Sequence, residues 1–382
     1  MKEAATVTAV PNQRRPILAS LTGVRGPLAV WVVLFHYERN SPGWSTATCN
    51  ILGNGYITVG FFFQLSGFFS ALGYKETMMR SSALYKRALR LYPALWASIF
   101  VGVAAELAAG NSNIMALSTV PKLLCVLAAG HAWSPSLIFD DSFNGPSWSV
   151  SCELFFAVAL LPLAPRLQKA SSFRACSCIL LLLLASLLSI SFTFRALDLH
   201  NSHLKFFPPL RLPQFLIGYT LGVAFHHGHL ERARPYTPCA AALAGLSLLA
   251  AAAVAPPFAA NPLYPFYISG LLDPLWAILI ISLALPPNSH AAIHAALSSR
   301  PLIYAGERSY ALYLLQSPIQ RLVRAAKGSP AGEDQSTGSA WPLVYWPALL
   351  AAAEVLHRIV ERRAIMAGGF GLGRAASKAT AV

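Results

Sequence analysis

Charge is scarce in this chain. Only 12% of its 382 residues are Asp, Glu, Lys or Arg, while 55% are apolar. A soluble domain carries about 25% charged residues, so an ordinary enzyme surface could not be solvated here. The same apolarity excludes a disordered chain. Acidic residues are the rarer sign, 15 against 29 basic ones, for a formal charge of +14. Six cysteines (Cys49, Cys125, Cys152, Cys176, Cys178 and Cys239) form no CxxC pair and no zinc-like spacing, so no metal site is expected. Residues 1–15 are polar, end in Arg14-Arg15 and hold no signal-peptide pattern. No internal repeat is visible. A polytopic membrane protein is what these absences leave.

What the sequence does have is long apolar runs. Ten lie at 20–38, 51–74, 88–109, 146–165, 174–194, 208–227, 237–257, 264–286, 302–323 and 342–360. Each is close to the ~20 residues that cross a bilayer. The fold class expected is all-α, a polytopic membrane helix bundle of about ten transmembrane helices. With the N-terminus inside, 19 Lys and Arg fall on the cytoplasmic side and eight outside, with Arg25 and Arg308 inside spans. That bias predicts both termini in the cytoplasm. It also explains the positive charge without nucleic acid as a partner. A tail 1–19, a membrane domain 20–360 and a tail 361–382 follow. Plasma membrane and internal membrane fit equally well. Residues 118–139 are apolar but broken by Pro121 and Pro135, and predict a re-entrant or surface helix on the outer face.

Ionisable residues inside a membrane are costly and mark function by default. Arg25 and His36 share the first span, eleven residues apart. Helical geometry returns them to within about 20° of one face, roughly 16 Å apart along the axis. In the fourth span, Asn144 or Ser147 could cap, Pro146 suits a first turn and Trp148 suits an interfacial anchor. Glu153 then lies about 8 Å deeper than Trp148, with no neutralising partner on its own helix. It needs a partner from another span, a raised pKa or water. A His36–Glu153 pair would make an acid/base unit. Gln64 and Ser66 in the second span can hydrogen-bond between helices. Lys86, Arg87 and Arg90 precede the third span; they read as a positive-inside signal or as a phosphate clamp, since Arg87 and Arg90 share a helix face.

Five stretches in order resemble the acyltransferase-3 family of integral membrane O-acyltransferases: LTGVRGPLAVWVVLFHY (21–37), VGFFFQLSGFF (59–69), YKRALRLYPALW (85–96), PSWSVSCELFF (146–156) and SRPLIYAGERSYALYLLQSPI (299–319). A weaker match is RLPQFLIGYTLGVAF (211–225). The resemblance implies transfer of an acyl group, usually acetyl from acetyl-CoA, to a hydroxyl of a carbohydrate, glycolipid or small molecule. It implies His36 and Arg25 in the active site, Arg87 and Arg90 with Lys86 on the donor side, and Glu153 as a further functional carboxylate. Two departures stand out. Gln316 occupies a position where the family often has His, and Phe155-Phe156-Ala157 replaces a Gln-Phe-Tyr texture.

The alternative is a lipid or glycan transporter or flippase, which could use the same buried polar residues for proton coupling. Against it, the sequence shows no inverted repeat and no pair of broken helices. Cys49 and Cys125 both fall outside on this topology and are either a disulfide or two thiols. His226, His227 and His229 read as a solvated loop or a metal site. Tyr310 and Tyr313 are read as packing or as cavity lining.

Overall fold

Apolar runs of span length must satisfy their backbone groups internally, and helices do this within one segment. The computed structural model of the chain describes residues 14–37, 44–74, 80–111, 114, 116–134, 143–170, 172–256, 261–287, 291–327 and 341–367, and among these no strand occurs. The helices are α1 (Arg14–Tyr37), α2 (Thr46–Gly53), α3 (Thr58–Leu72), α4 (Arg80–Ala108), α5 (Val120–Leu127), α6 (Trp148–Lys169), α7 (Phe173–Ala196), α8 (Asn201–Phe206), α9 (Pro208–His226), α10 (Thr237–Val254), α11 (Tyr264–Ile268), α12 (Asp273–Ala284), α13 (Ala292–Leu297), α14 (Arg300–Ala326) and α15 (Trp341–Leu356). A π-turn (His357–Glu361) leads from α15 into α16 (Arg362–Ala367).

Eight segments among the described residues are helical, long and apolar enough to cross a membrane. The chain is a multi-pass integral membrane protein. The two other runs read from the sequence fold as α9 and α14 but are more polar. Arg211, Gln214 and Thr220 of α9 and Ser309, Gln316, Ser317 and Gln320 of α14 are buried, so these polar residues face protein rather than lipid. Of the region 118–139, the described part contains one short apolar helix over Leu117–Leu127. Its eleven residues cover about 16 Å, too little to span. The expected tails lie outside the described residues at 1–13 and 368–382. The expected boundary at 360 cuts the π-turn, which packs on α4 and α14 as part of the bundle.

Two spans are broken, contrary to the sequence reading. The second divides into α2 and α3 at Asn54, whose side chain donates to Ala252 O (3.1 Å) and Ala255 O (3.0 Å) at the end of α10. The eighth divides into α11 and α12 at Ser269–Leu272, where Gly270 holds φ +108. Each break sits at a turn-type pair, Asn54-Gly55 and Ser269-Gly270, inside an apolar run long enough to read as one span. The fourth span also begins differently. Asn144 does not cap; its Nδ2 donates to Ser98 Oγ (2.8 Å) and Leu314 O (2.9 Å). Ser147 does not cap either, and donates to Asn144 O. Trp148 is not an interfacial anchor. It is 5% exposed and packs edge-on against Phe63 and Phe206.

Two seams set the frame. At α3 against α9, a Cβ on Gly67 would lie 1.9 Å from Phe215 O, and one on Gly218 would lie 1.7 Å from Gln64 O. At α1 against α14, a Cβ on Gly306 would lie 1.8 Å from Thr22 O. Small residues let these backbones touch, as expected where lipid supplies no hydrophobic drive between helices. One core cluster gathers around α3, α10 and α12, and a second around α1, α4, α14 and α15.

Candidate active site

The α1–α14 seam positions the first two candidate residues. The helices run side by side in the same direction, Gly23 meeting Leu302 and Gly26 meeting Ala305. Arg25 lies within charge-interaction range of Glu307 on α14, and His36 shares a cavity with Ser317 and Gln320 on α14. Thirteen residues separate Glu307 from Gln320, about 20 Å, against roughly 16 Å between Arg25 and His36. Both α1 side chains therefore face the α14 side, as their spacing predicts.

His36 lines a cavity of about 200 Å³. Tyr56, Trp148, Phe206 and Tyr313 form aromatic walls, and Lys205, Ser317 and Gln320 are polar. Lys205 Nζ lies 4.9 Å from the Phe206 ring centroid. Tyr313 donates to Pro146 O (2.8 Å), which fixes the start of α6 against α14. Tyr56 sits in the break between α2 and α3 and meets Tyr264 of α11 edge-on at 5.0 Å. The break in the second span thus brings irregular backbone to this cavity, the setting in which such backbone is tolerated at membrane depth.

Glu153 lies about 7.5 Å further along α6 than Trp148. Its partners come from other spans, as anticipated, but His36 is not among those described. Arg87 of α4 pairs with its carboxylate. Ser66 of α3 donates to it (2.8 Å) and accepts from Arg87 Nη2 (2.5 Å). Three helices are therefore joined by one half-buried ion pair and one hydroxyl. Lys86 is half-buried beside Arg87.

Arg90 differs. It lies within charge range of Arg87, Glu153, Tyr310 and Glu361 and is solvent-accessible. Arg25 is half-buried, within range of Arg90 and Glu361. Among the described residues neither guanidinium makes an ion pair or a hydrogen bond. Glu361 arrives from the π-turn. It is 5% exposed, its Oε2 is bound by His357 Nδ1 at 2.8 Å, and its buried Oε1 has no hydrogen-bond partner. Five residues in π geometry often mark a functional position. Only the geometry, not the composition of HRIVE, signals it here.

Other polar residues that the sequence left unremarked are structural. Asp273 accepts from Gln64 (2.7 Å), Gln214 (2.9 Å) and Gly270 N (2.6 Å), and so fastens the α11–α12 break to α3 and α9. Arg211 donates to Ile268 O (2.8 Å) at the same break. His131, in the connection before α6, contacts Ser147 Oγ at 3.0 Å. Burial lowers its pKa to about 4. Gln316 is fully buried and donates to Tyr313 O, away from the cavity lining. All six cysteines are free, so Cys49 and Cys125 are two thiols. His226, His227 and His229 stack near one another, with ring centroids 5.6 and 5.8 Å apart. Among the described residues no group of three or more His, Cys, Asp or Glu is placed to hold a metal ion.

A helical membrane bundle with a histidine cavity at the end of its first helix, and an arginine on the same helix within charge range of a second, defines a class. The chain belongs to the acyltransferase-3 family, whose sequence model, described as an acyltransferase domain, matches residues 18–354. It is an O-acyltransferase, and such an enzyme needs an acyl donor and a hydroxyl acceptor. Among particular proteins it is similar to Acyltransferase MdmB of Streptomyces mycarofaciens, 27% identical over 371 residues and covering 90% of each chain. No solved structure matches it.

Proposed function

We propose that the protein transfers an acyl group, acetyl first among candidates, from acyl-CoA to a hydroxyl of a carbohydrate or glycolipid acceptor, with His36 as general base. The observation that carries this reading is the arrangement along one seam. His36 in an aromatic cavity and Arg25, one of two unengaged arginines, lie on the same face of α1, separated by about the length of an extended thioester arm.

In this scheme the ten helical runs cross the membrane with both termini in the cytoplasm, around a catalytic domain of residues 20–360. Arg25 and Arg90 hold the donor's phosphates from the cytoplasmic side. Arg87 and Lys86 add to the field, but Arg87 is already neutralised by Glu153. That pair is the wall of the donor path rather than its clamp. The thioester reaches the His36 cavity, whose volume is below the 300–1,000 Å³ of a whole-ligand site and suits the reacting ends of two substrates. His36, neutral, takes the proton of the acceptor hydroxyl as its oxygen attacks the thioester carbonyl. The C–S bond breaks, and the imidazolium returns the proton to the leaving thiolate. Aromatic walls with Lys205, Ser317 and Gln320 suit a sugar ring. The transporter reading no longer has the lack of broken helices against it, but the family match places acyl transfer first.

The test is transfer of label from radiolabelled acetyl-CoA in isolated membranes, followed into glycan, lipid and small-molecule fractions. Label is expected with wild type and not with His36→Ala. Equal label with a folded His36→Ala variant overturns the base assignment. No transfer from acetyl-CoA or longer acyl-CoAs overturns the donor.

A further inference from the structure

The π-turn at the end of α15 places a carboxylate where no sequence signal asks for one. Glu361 is nearly fully buried, and one of its oxygens makes no hydrogen bond. A carboxylate in that state is costly unless cations stand near it. The cations in range are Arg25 of α1 and Arg90 of α4. Neither makes an ion pair with it, because His357 holds its other oxygen at 2.8 Å on the same turn. The carboxylate is thus retained a short distance from two guanidinium groups. An α-helical turn also places residues four apart on one face; the π-turn widens this segment and packs it onto α4 and α14.

We infer that Glu361, tethered by His357, is the resident counter-ion of the Arg25–Arg90 pair and sets how tightly the donor's phosphates are held. This rests on the donor-site reading above. Without a fixed negative charge, two closely placed arginines would bind a polyanion tightly and release the spent carrier slowly. With Glu361 bonded directly to them, they would bind it poorly. His357 holds the intermediate position. Glu361 is a positioning residue: it acts on the arginines, not on the reacting atoms.

The experiment is equilibrium binding of coenzyme A to the purified full-length protein in nanodiscs, for wild type, Arg90→Ala, Glu361→Gln, Glu361→Asp and His357→Phe. Removing the charge in Glu361→Gln is expected to tighten binding about tenfold, the scale of one charge acting through a partly screened interior. Turnover should fall as KM falls, because release slows. Glu361→Asp should restore wild-type behaviour. His357→Phe frees the carboxylate to approach the arginines and should weaken binding several-fold, the opposite sign. A merely structural Glu361 would give weaker binding in both variants. Unchanged or weaker binding in folded Glu361→Gln overturns the inference. If Glu361→Gln does not fold, tighter or unchanged binding in His357→Phe overturns it. Wild type that fails to bind coenzyme A, or Arg90→Ala that binds like wild type, overturns the donor-site reading and this inference with it.

Discussion

Arg87 and Arg90 stand three residues apart on α4 and carry the same charge, yet they have opposite surroundings. Arg87 is closed into an ion pair with Glu153 and a hydrogen bond with Ser66. Arg90 is solvent-accessible, in range of Arg25 and Glu361 but bonded to neither. One arginine joins helices; the other makes no bond among the described residues. Equal residues with equal spacing in the sequence can therefore hold different offices, and what separates them is the partner that arrives from a distant span.

The largest effect should come from the far end of the path. His36→Ala is expected to lower turnover by about 10²–10⁴-fold, the usual share of a general base, with thermal stability unchanged. A folded variant with ordinary turnover would remove His36 from the chemistry. Next, Glu153→Ala leaves Arg87 without its counter-charge and should cost about 3–5 kcal/mol of stability, read from detergent melting curves. Arg90→Ala should cost almost none and instead raise the donor KM about tenfold, the loss of one charge-assisted contact. A stability loss at Arg90 equal to that at Glu153 would erase the distinction between them.

A smaller effect tests the connection that precedes α6. Burial holds the His131 pKa at about 4, below the ordinary 6.5 of the unfolded chain. Its contribution to stability is complete above pH 6.5 and is lost as pH falls toward 4, about 3 kcal/mol in all. His131→Gln should flatten melting temperature against pH in that window. The smallest effect belongs to the frame. Gly67→Ala should cost at least about 1–3 kcal/mol, with KM and turnover per folded molecule near wild type.

Much of this was legible beforehand. Helix positions followed from apolar run length, and the shared face of Arg25 and His36 followed from an eleven-residue spacing. The need of Glu153 for a partner in another span followed from the absence of one on its own helix. What escaped had a common cause. The breaks at Asn54 and Ser269–Leu272 are fixed by hydrogen bonds to α10, α3 and α9, and their turn-type pairs sit inside runs long enough to read as single spans. Trp148 looked like an anchor because it stands at a span end, but neighbours from α3 and α8 bury it. Glu361 lay beyond the span boundary drawn at 360, because a π-turn that returns to the core resembles the start of a charged tail. In each case the deciding contact is long-range.

The backbone contacts at Gly67, Gly218, Gly23 and Gly306 leave no room for even a methyl group, as the 1.7–1.9 Å approaches show. Any missense change at a glycine codon adds a side chain. These four positions should therefore be as intolerant of inherited variation as His36 while touching no substrate. A mutational scan scored by activity alone would place them among the catalytic residues. Scored also by the amount of folded protein in the membrane, the same scan would sort the hinge-free frame from the chemistry it carries.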